Sequence, residues 1–459
     1  MQSYREEQDS IGVRNVPSEA YYGVQSLRGA ENFRITGRGM HPELIRAIVE
    51  LKKAAAIANR NAGTYDARIA DAIVSACDEI LDGKLLDNFI IDAVQGGAGT
   101  SANMNANEVI ANRAIELLGG EKGNYKMVHP NDHVNCGQST NDVIPSAGKI
   151  ATVRLLMRAV ESIRQLQAAF LAKSEEFCDV IKMGRTEMQD AVPISFGQVF
   201  GAYASALSRD IKRFQLAIDE MSVINMGGTA IGTCINAHPE YVKSITDRVC
   251  EVTGLGLSQA DDLIDATQNL DSFVFVSGVV KSCAVTLSKI AGDMRLMSSG
   301  PRTGFGEISI PSKQNGSSIM PGKVNPVMPE VMSQVAFNII GNDTTITLAA
   351  EAGQLELNAF EPVLFYRLFE SIDTLKNGID VFRSECIEGI VVNATKCRND
   401  VENSIGIITA LCPHIGYVES ARIAKRAMRE GRSVRSLLLE ENIMSPAELD
   451  EVLDPAKMI

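Results

Sequence analysis

Between residues 146 and 300 this chain carries only two prolines, Pro193 and Pro239, and that gap constrains its fold more than any other feature. Proline removes a backbone donor and its ring clashes with the preceding helical turn, so long proline-poor stretches are where long helices can run. Apolar residues supply the faces. From Ala266 to Met297, the residues Phe273, Val276, Val280, Cys283, Leu287, Ile290, Met294 and Met297 follow steps of three and four. That spacing predicts one helix of about eight turns, stopped at Gly300-Pro301. Residues 146 to 176 repeat the pattern through Ile150, Val153, Leu156, Val160, Ile163, Leu166 and Phe170. Further helices are expected from Ser195 to Ile224, Pro329 to Ala352 and Asn358 to Val392. No Val/Ile-rich alternation or βαβ spacing competes, so the fold class is mainly α, built on a central bundle of long helices.

At 459 residues with 45% apolar composition, the chain has material for two or three domains and a large core. Polar transitions near residues 129–146 and at Val392-Asn393 divide it into residues 1–138, a helical bundle over 139–394, and a small C-terminal unit over 395–459. Helices this long have more apolar face than one chain can bury, and bundling with other copies is the expected remedy. The net charge of −13 disfavours nucleic acid, which needs clustered Lys and Arg. MQSYREEQDS has no apolar stretch to serve as an export signal, and the most apolar run, Phe273 to Val280, ends at Lys281, so no membrane span is expected. Nine cysteines stand singly, odd in number and without a CxxC pair, against both a disulfide framework and a zinc site. Reduced thiols in a cytoplasm fit that usage, and no metal cluster is apparent.

Four polar segments carry the chemistry. From Gly300 to Pro326, glycines and prolines interleave densely enough to exclude helix interior and central strand, leaving a long loop. Loops of that length tend to be lids or binding loops. Its GSSIMPGKVNP (316–326) presents two hydroxyls, a cation and an amide; the bland alternative is a solvated linker. QGGAGTSANMNANE (95–108) sets Thr100, Ser101 and Asn103 where a helix begins, a place where free N–H groups and hydroxyls can receive an anion, although Thr100 or Ser101 could simply cap. Gln138-Ser139-Thr140-Asn141-Asp142 precedes another long helix, which Asn141 or Asp142 would cap well. GRTEMQD (184–190), taken alone, reads as a charged helix start. GxxxxGK[ST] and GxGxxG are both absent.

Together these segments resemble the aspartase/fumarase superfamily of fumarate-producing lyases. GSSIMPGKVNP matches that superfamily's signature loop. The similarity extends to SEAYYGVQSLRGAENF (18–33), NMNANEVIANR (103–113), HPNDHVN (129–135), GGTAIGTCINAHP (227–239) and PHIGY (413–417), so practically the whole chain is covered. QGGAGTSANMNANE and MGRTEMQDAVP look like the aspartase branch rather than the class II fumarase branch, whose corresponding segments read QTGSGT and GRTHTQDATP. The resemblance implies a three-domain, largely helical subunit and a homotetramer with a 20-helix core. It also implies active sites assembled from three subunits, no cofactor, and reversible conversion of L-aspartate to fumarate and ammonia. Malate chemistry of the fumarase kind, or another amino-substituted succinate, is the alternative.

Carried over position by position, the resemblance makes Ser317 the general base. Thr100, Ser139, Thr140 and Ser318 become donors around the reacting carboxylate, Ser101 joins the substrate-binding residues, and Thr186, Lys323 and Asn325 hold the other carboxylate. Asn141 and Glu187 then lie near the leaving group. Glu187 departs from the His or Gln usual there, and a carboxylate at that place favours an ammonium: opposite charges about 4 Å apart are worth about 4 kcal/mol at an effective dielectric near 20. The alternative is that Glu187 turns away to pair with Arg185 or Lys182. Cys136-Gly137 also departs from relatives, which commonly have Lys followed by Cys or Ser. His129 and His133 lie in a segment that contributes to a secondary anion site in fumarases; a capped, hydrogen-bonded turn explains them equally well.

Overall fold

The computed structural model describes residues 3–454 and residue 457. Residues of the chain gather into two compact units: Met1–Val160, Arg213–Lys281 and Asn338–Thr374 make one, and Glu161–Lys212, Ser282–Phe337 and Leu375–Ile459 the other. Every cut falls inside one of five long helices, so each of these helices contributes residues to both units.

The first unit opens with a hairpin, β1 (Tyr4–Asp9) and β2 (Gly12–Pro17), followed by α1 (Val24–Asn32), α2 (Pro42–Ala62), α3 (Ala67–Leu81) and α4 (Thr100–Leu117). Two of its helices start alike. At His41-Pro42-Glu43 and again at His238-Pro239-Glu240, the histidine Nδ1 accepts the backbone N–H two residues on, while proline takes the first helical position, where no donor is needed. Both helices also end on a glycine at φ +71°, the left-handed stop that a Cβ would strain. The second of them, α7 (Pro239–Thr253), packs on α2, which also meets α3.

α5 (Thr140–Glu176) begins before the expected residue 146 and takes Pro145 into its body. Pro145 has no N–H for the carbonyl of Asn141, four residues back, and the Asn225 side-chain amide donates to that carbonyl instead, at 3.0 Å. Helix α6 (Phe196–Met221) matches expectation, apart from a two-residue strand β5 (Val223–Ile224) at its end, paired in parallel with β6 (Ser258–Gln259). The helix expected from Ala266 is two helices, α8 (Leu263–Gln268) and α9 (Asp271–Met297). Asn269 interrupts them in extended conformation (ψ 140°), its side chain donating to Asp265 at 2.7 Å. α9 is long and apolar enough to cross a membrane, but half of its most apolar 18-residue stretch is buried within the protein, and Phe273, Val280, Leu287 and Met294 are buried along the helix.

A two-residue strand β7 (Ile308–Ser309) is the only ladder in the long 300–326 loop among the described residues. α10 (Val327–Glu351) and α11 (Glu361–Glu385) follow. α11 stops seven residues short of the expected Val392, because Val391–Val392 form β8 and pair with β7. The C-terminal elements are α12 (Ala394–Asn403), a 3₁₀ helix Ile405–Leu411, α13 (Cys412–Ile415), α14 (Tyr417–Glu430), α15 (Val434–Glu440) and α16 (Pro446–Val452). Leu411, Ile423, Leu437, Leu438 and Leu449 bury a core there that also takes in Met183.

Met183 belongs to a feature the sequence reading missed. GRTEMQD is not a helix start: it is the tip of a hairpin, β3 (Ile181–Thr186) and β4 (Gln189–Ser195). Thr186 pairs with Gln189, so Glu187 and Met188 form a two-residue turn, both at positive φ (52° and 66°). Such turns normally carry Asn or Gly, so Glu-Met gave no signal. Ser404 secures the hairpin by donating to Asp190 at 2.7 Å.

Candidate active site

Two of the four polar segments meet in the first unit. Gly99, at φ +84°, opens α4 without any side-chain cap, and neither Thr100 nor Ser101 caps the helix. Gly99 must be glycine on two counts: its φ, and an Ile144 methyl that would lie 2.9 Å from an added Cβ. Gln95 Oε1 accepts from the Ala102 N–H (3.0 Å), and the Thr100 hydroxyl donates to the Gly97 carbonyl (2.8 Å) while remaining exposed. The Ser101 side chain lies against Gly29 of α1. Both hydroxyl residues line a cavity of about 710 Å³ together with Arg28, His129 and Asn131.

At the start of α5 the cap is Ser139, not the expected Asn141 or Asp142. Its hydroxyl accepts the Asn141 N–H (3.3 Å), and Asp142 reaches back to the Ser139 N–H (2.8 Å). Fully buried, Asp142 also accepts from the Gly227 and Thr229 N–H groups, both at 3.1 Å, so one carboxylate joins the helix start to the 227–230 turn. Burial pushes its carboxyl up to about 6 against these hydrogen bonds and the charge of Lys52. Asn141 donates to the Ala230 carbonyl at 2.7 Å. Thr140 Oγ1 accepts from Asn103 Nδ2 at 3.3 Å, the bond that ties the two segments together.

His129 and His133 make the hydrogen-bonded turn: His129 Nδ1 accepts the Asn131 and Asp132 N–H groups, and His133 Nδ1 accepts that of His129. Cys136, half-buried, has its thiol pushed up by burial.

Thr186 and Glu187 lie at the hairpin tip in the second unit, lining a cavity of about 940 Å³ with Arg185 and Phe305. Arg185 and Lys182 are not paired with Glu187; both face the fully buried Glu307, at 2.5 and 3.0 Å. Among the described residues Glu187 has no ion pair and stands exposed.

The signature loop is closed on itself in the same unit. The Gly316 N–H donates to the Lys323 carbonyl (2.8 Å), and Asn325 Nδ2 donates to the Gly316 carbonyl (2.9 Å). A Cβ on Gly316 would stand 2.5 Å from that Lys323 oxygen. Within this ring Ser317 Oγ accepts two backbone N–H groups, Ile319 at 3.2 Å and Met320 at 3.0 Å. Ser318 and Lys323 are exposed, as is Ile319 at 84%. Lys323 and Asn325 line a cavity of about 850 Å³ with Arg295 and Ser299.

Sequence reasoning missed Lys52. Its signal was present: Ile45, Ile48, Lys52, Ala55 and Asn59 follow helical steps along α2, which sets a lysine on the buried face.

A largely helical chain with hydroxyl-bearing helix starts and a glycine-proline loop closed around a serine has the make-up of a fumarate-releasing lyase. The chain belongs to the lyase family: the model described as "Lyase" matches residues 12–341, and "Fumarase C C-terminus" matches residues 407–459. Among curated relatives, an aspartate ammonia-lyase of Bacillus sp. is 51% identical over 454 residues, covering 99% of this chain and 97% of the relative. The crystal structure of a "fumarate lyase:delta crystallin" from Brucella melitensis bound to cobalt superposes with a TM-score of 0.97 at 46% identity, covering 99% of each chain. A recombinant class II fumarase from Schistosoma mansoni gives 0.96 at 34% identity, again over 99% of each chain.

Proposed function

We propose that this lyase is an aspartate ammonia-lyase, releasing fumarate and ammonia from L-aspartate without a cofactor. Ser317 Oγ, as alkoxide, removes a proton from the carbon beside the side-chain carboxylate, and the bond electrons pass into that carboxylate as an enediolate. Their return forms the carbon–carbon double bond and expels the amine as ammonia. The observation that carries this reading is the pair of backbone N–H groups on Ser317 Oγ. A hydroxyl is a weak base near pH 7, and donors that favour its charged form lower its pKa, with the Lys323 cation adding to them.

Thr100, Ser101, Ser139, Thr140 and Ser318 stabilise the enediolate, an arrangement worth about 3 to 4 kcal/mol for a well-placed donor. Thr186, Lys323 and Asn325 hold the other carboxylate. Glu187, exposed and without a cationic partner among the described residues, attracts the substrate ammonium with Asn141 and discriminates against malate. These groups come together in a homotetramer, each site drawing on three subunits, with residues 139–394 forming the shared core. Support comes from apolar side chains left exposed along the long helices: Phe275, Val285 and Leu296 recur on one face of α9, and Phe337 and Leu348 on one face of α10. Nine free cysteines suit a reducing cytoplasm.

The test follows fumarate absorbance with L-aspartate and L-malate offered in parallel. Aspartate turnover is expected, with kcat/KM falling about tenfold or more in Glu187→Gln for loss of a charge contact. Malate turnover without aspartate turnover would overturn the assignment in favour of a fumarase.

A further inference from the structure

The donors proposed to hold the reacting carboxylate have a buried origin that their own positions do not reveal. Lys52, on α2, has no exposed surface, and its Nζ donates to Asn135 Oδ1 at 2.7 Å and to Gln138 Oε1 at 2.9 Å. An ammonium has only donors, so both amides must turn their oxygens toward it. Asn135 is held further by its own Nδ2, which donates to the Gln138 carbonyl at 3.1 Å. With its oxygen fixed, Asn135 Oδ1 accepts two more bonds, from Asn103 Nδ2 (3.1 Å) and Asn107 Nδ2 (3.2 Å), one helical turn apart on α4. That fixes the amide orientation of both residues. The two then diverge: the second N–H of Asn103 reaches Thr140 Oγ1, whereas that of Asn107 reaches Met104 Sδ at 3.4 Å.

We propose that Lys52 is a positioning residue that sets the polarity of a relay, Lys52 to Asn135 to Asn103 to Thr140, which leaves the Thr140 hydroxyl obliged to donate outward to a substrate carboxylate. A hydroxyl has one proton. Because Thr140 Oγ1 already accepts from Asn103, its proton is directed elsewhere, and a carboxylate is the acceptor the site presents. Were the relay reversed, Thr140 would spend its proton on an Asn103 oxygen and meet the substrate as a competing acceptor.

The relay is sensitive to the charge of Lys52, since a neutral amine also carries a lone pair and leaves the Asn135 orientation to its one remaining hold, the bond from Nδ2 to the Gln138 carbonyl. Burial pushes Lys52 down to about 7, opposed by Asp142 from α5 and Cys77 from α3. The groups on the surrounding elements are Cys77, whose thiol burial pushes far up; Asp142, pushed up to about 6; His133, pushed down by burial; Cys136, pushed up by burial; and Tyr241 of α7, pushed well above its ordinary value. Asp78 of α3 is engaged by Lys53 at 2.5 Å, and α4 contributes only the neutral asparagines to the relay.

The inference rests on Thr140 being a carboxylate ligand, and fumarate binding measured by calorimetry tests it without regard to which amine or hydroxyl leaves. Failure of aspartate turnover would therefore fault the reaction reading and leave this measurement standing. Asn103→Ala is expected to raise the Kd for fumarate about tenfold, the value of one lost hydrogen bond, while Asn107→Ala changes it by less than about twofold. Wild-type affinity should weaken as pH rises through about 7, and Lys52→Met should bind weakly without that inflection. Circular dichroism melts identify any variant that fails to fold, and if Lys52→Met does, the two asparagine variants decide alone. Equal losses in Asn103→Ala and Asn107→Ala would reduce the network to scaffolding. A Lys52→Met enzyme that folds and keeps the wild-type affinity and pH profile would likewise overturn the relay.

Discussion

The helix-start cluster of the first unit and the signature loop of the second carry similar inventories of hydroxyls and amides, yet they are held in opposite ways. Around Thr140, Asp142 alone makes three hydrogen bonds from full burial, and Asn135 accepts three donors on one oxygen. Around Ser317 the loop rests on two bonds between Gly316 and the 323–325 segment, with Ile319 and Met320 facing solvent. One region is over-determined and the other is closed by a thin ring. The difference suits their tasks: donors aimed at developing charge work best when they need not reorganise, whereas a base that must be desolvated at the moment of reaction belongs on a segment able to move.

Substitutions can break that contrast. The largest effect is expected for Ser317→Ala, a loss of about 10³-fold in kcat, typical for removal of a general base, with the melting temperature unchanged because the Oγ partners are exposed backbone. Near-normal turnover with intact binding would remove Ser317 from its role. Asp142→Ala should do the reverse and cost about 3 kcal/mol of stability, since it strands three N–H groups and leaves the buried Lys52 without its counter-charge. Denaturant unfolding reads this directly; a loss below about 1 kcal/mol would mean that the cluster is no more rigid than the loop. Gly316→Ala should open the ring, lowering kcat/KM about tenfold while changing stability by less than about 1 kcal/mol, because the strain falls on an exposed segment.

The smallest effect is in the pH dependence of stability, and it sharpens the comparison because it belongs to the buried region alone. Lys52 titrates at about 7 when folded and near its ordinary 10.5 when unfolded. The unfolded chain holds the extra proton across that window, so stability rises with pH from 7 toward 10.5. Asp142 titrates at about 6 against an ordinary 3.8, so the folded chain holds the extra proton there, and stability falls as pH rises from 3.8 to 6. Melting temperature should pass through a shallow local minimum between pH 6 and 7, about 2 °C deep. Asp142→Asn should abolish its acid side.

Much of the architecture was legible because long helices announce themselves twice, by proline avoidance and by apolar steps of three and four. α6, α9 and α10 follow that rule closely. Pro145 and Asn269 mark where it failed, in opposite directions. A proline entered α5 because Asn225 could serve the carbonyl it stranded, and a stretch without proline broke because Asn269 found a local partner in Asp265. Both outcomes turn on side chains whose presence a linear pattern does not report. The 184–190 hairpin was invisible for a similar reason. Glu187 and Met188 lack turn chemistry, and the turn is held by the pairing of Thr186 with Gln189 and by the anchorage of Met183 and Asp190 in the C-terminal elements.

By itself the sequence determined the helical class, the four polar segments and, through its resemblance to known lyases, the set of residues expected to meet a dicarboxylate. Those are properties of residue type and local spacing, which propensity, periodicity and motif express directly. Only the tertiary structure decided which groups are buried and which way each hydrogen bond runs. It assigned Arg185 and Lys182 to Glu307 and left Glu187 exposed at a hairpin tip. It also brought the Lys52 amine of α2 to the amide oxygens of Asn135 and Gln138, and through Asn135 and Asn103 linked it to Thr140 at the start of α5. Hydrogen-bond direction depends on partners tens of residues apart, and only the folded chain brings those partners together.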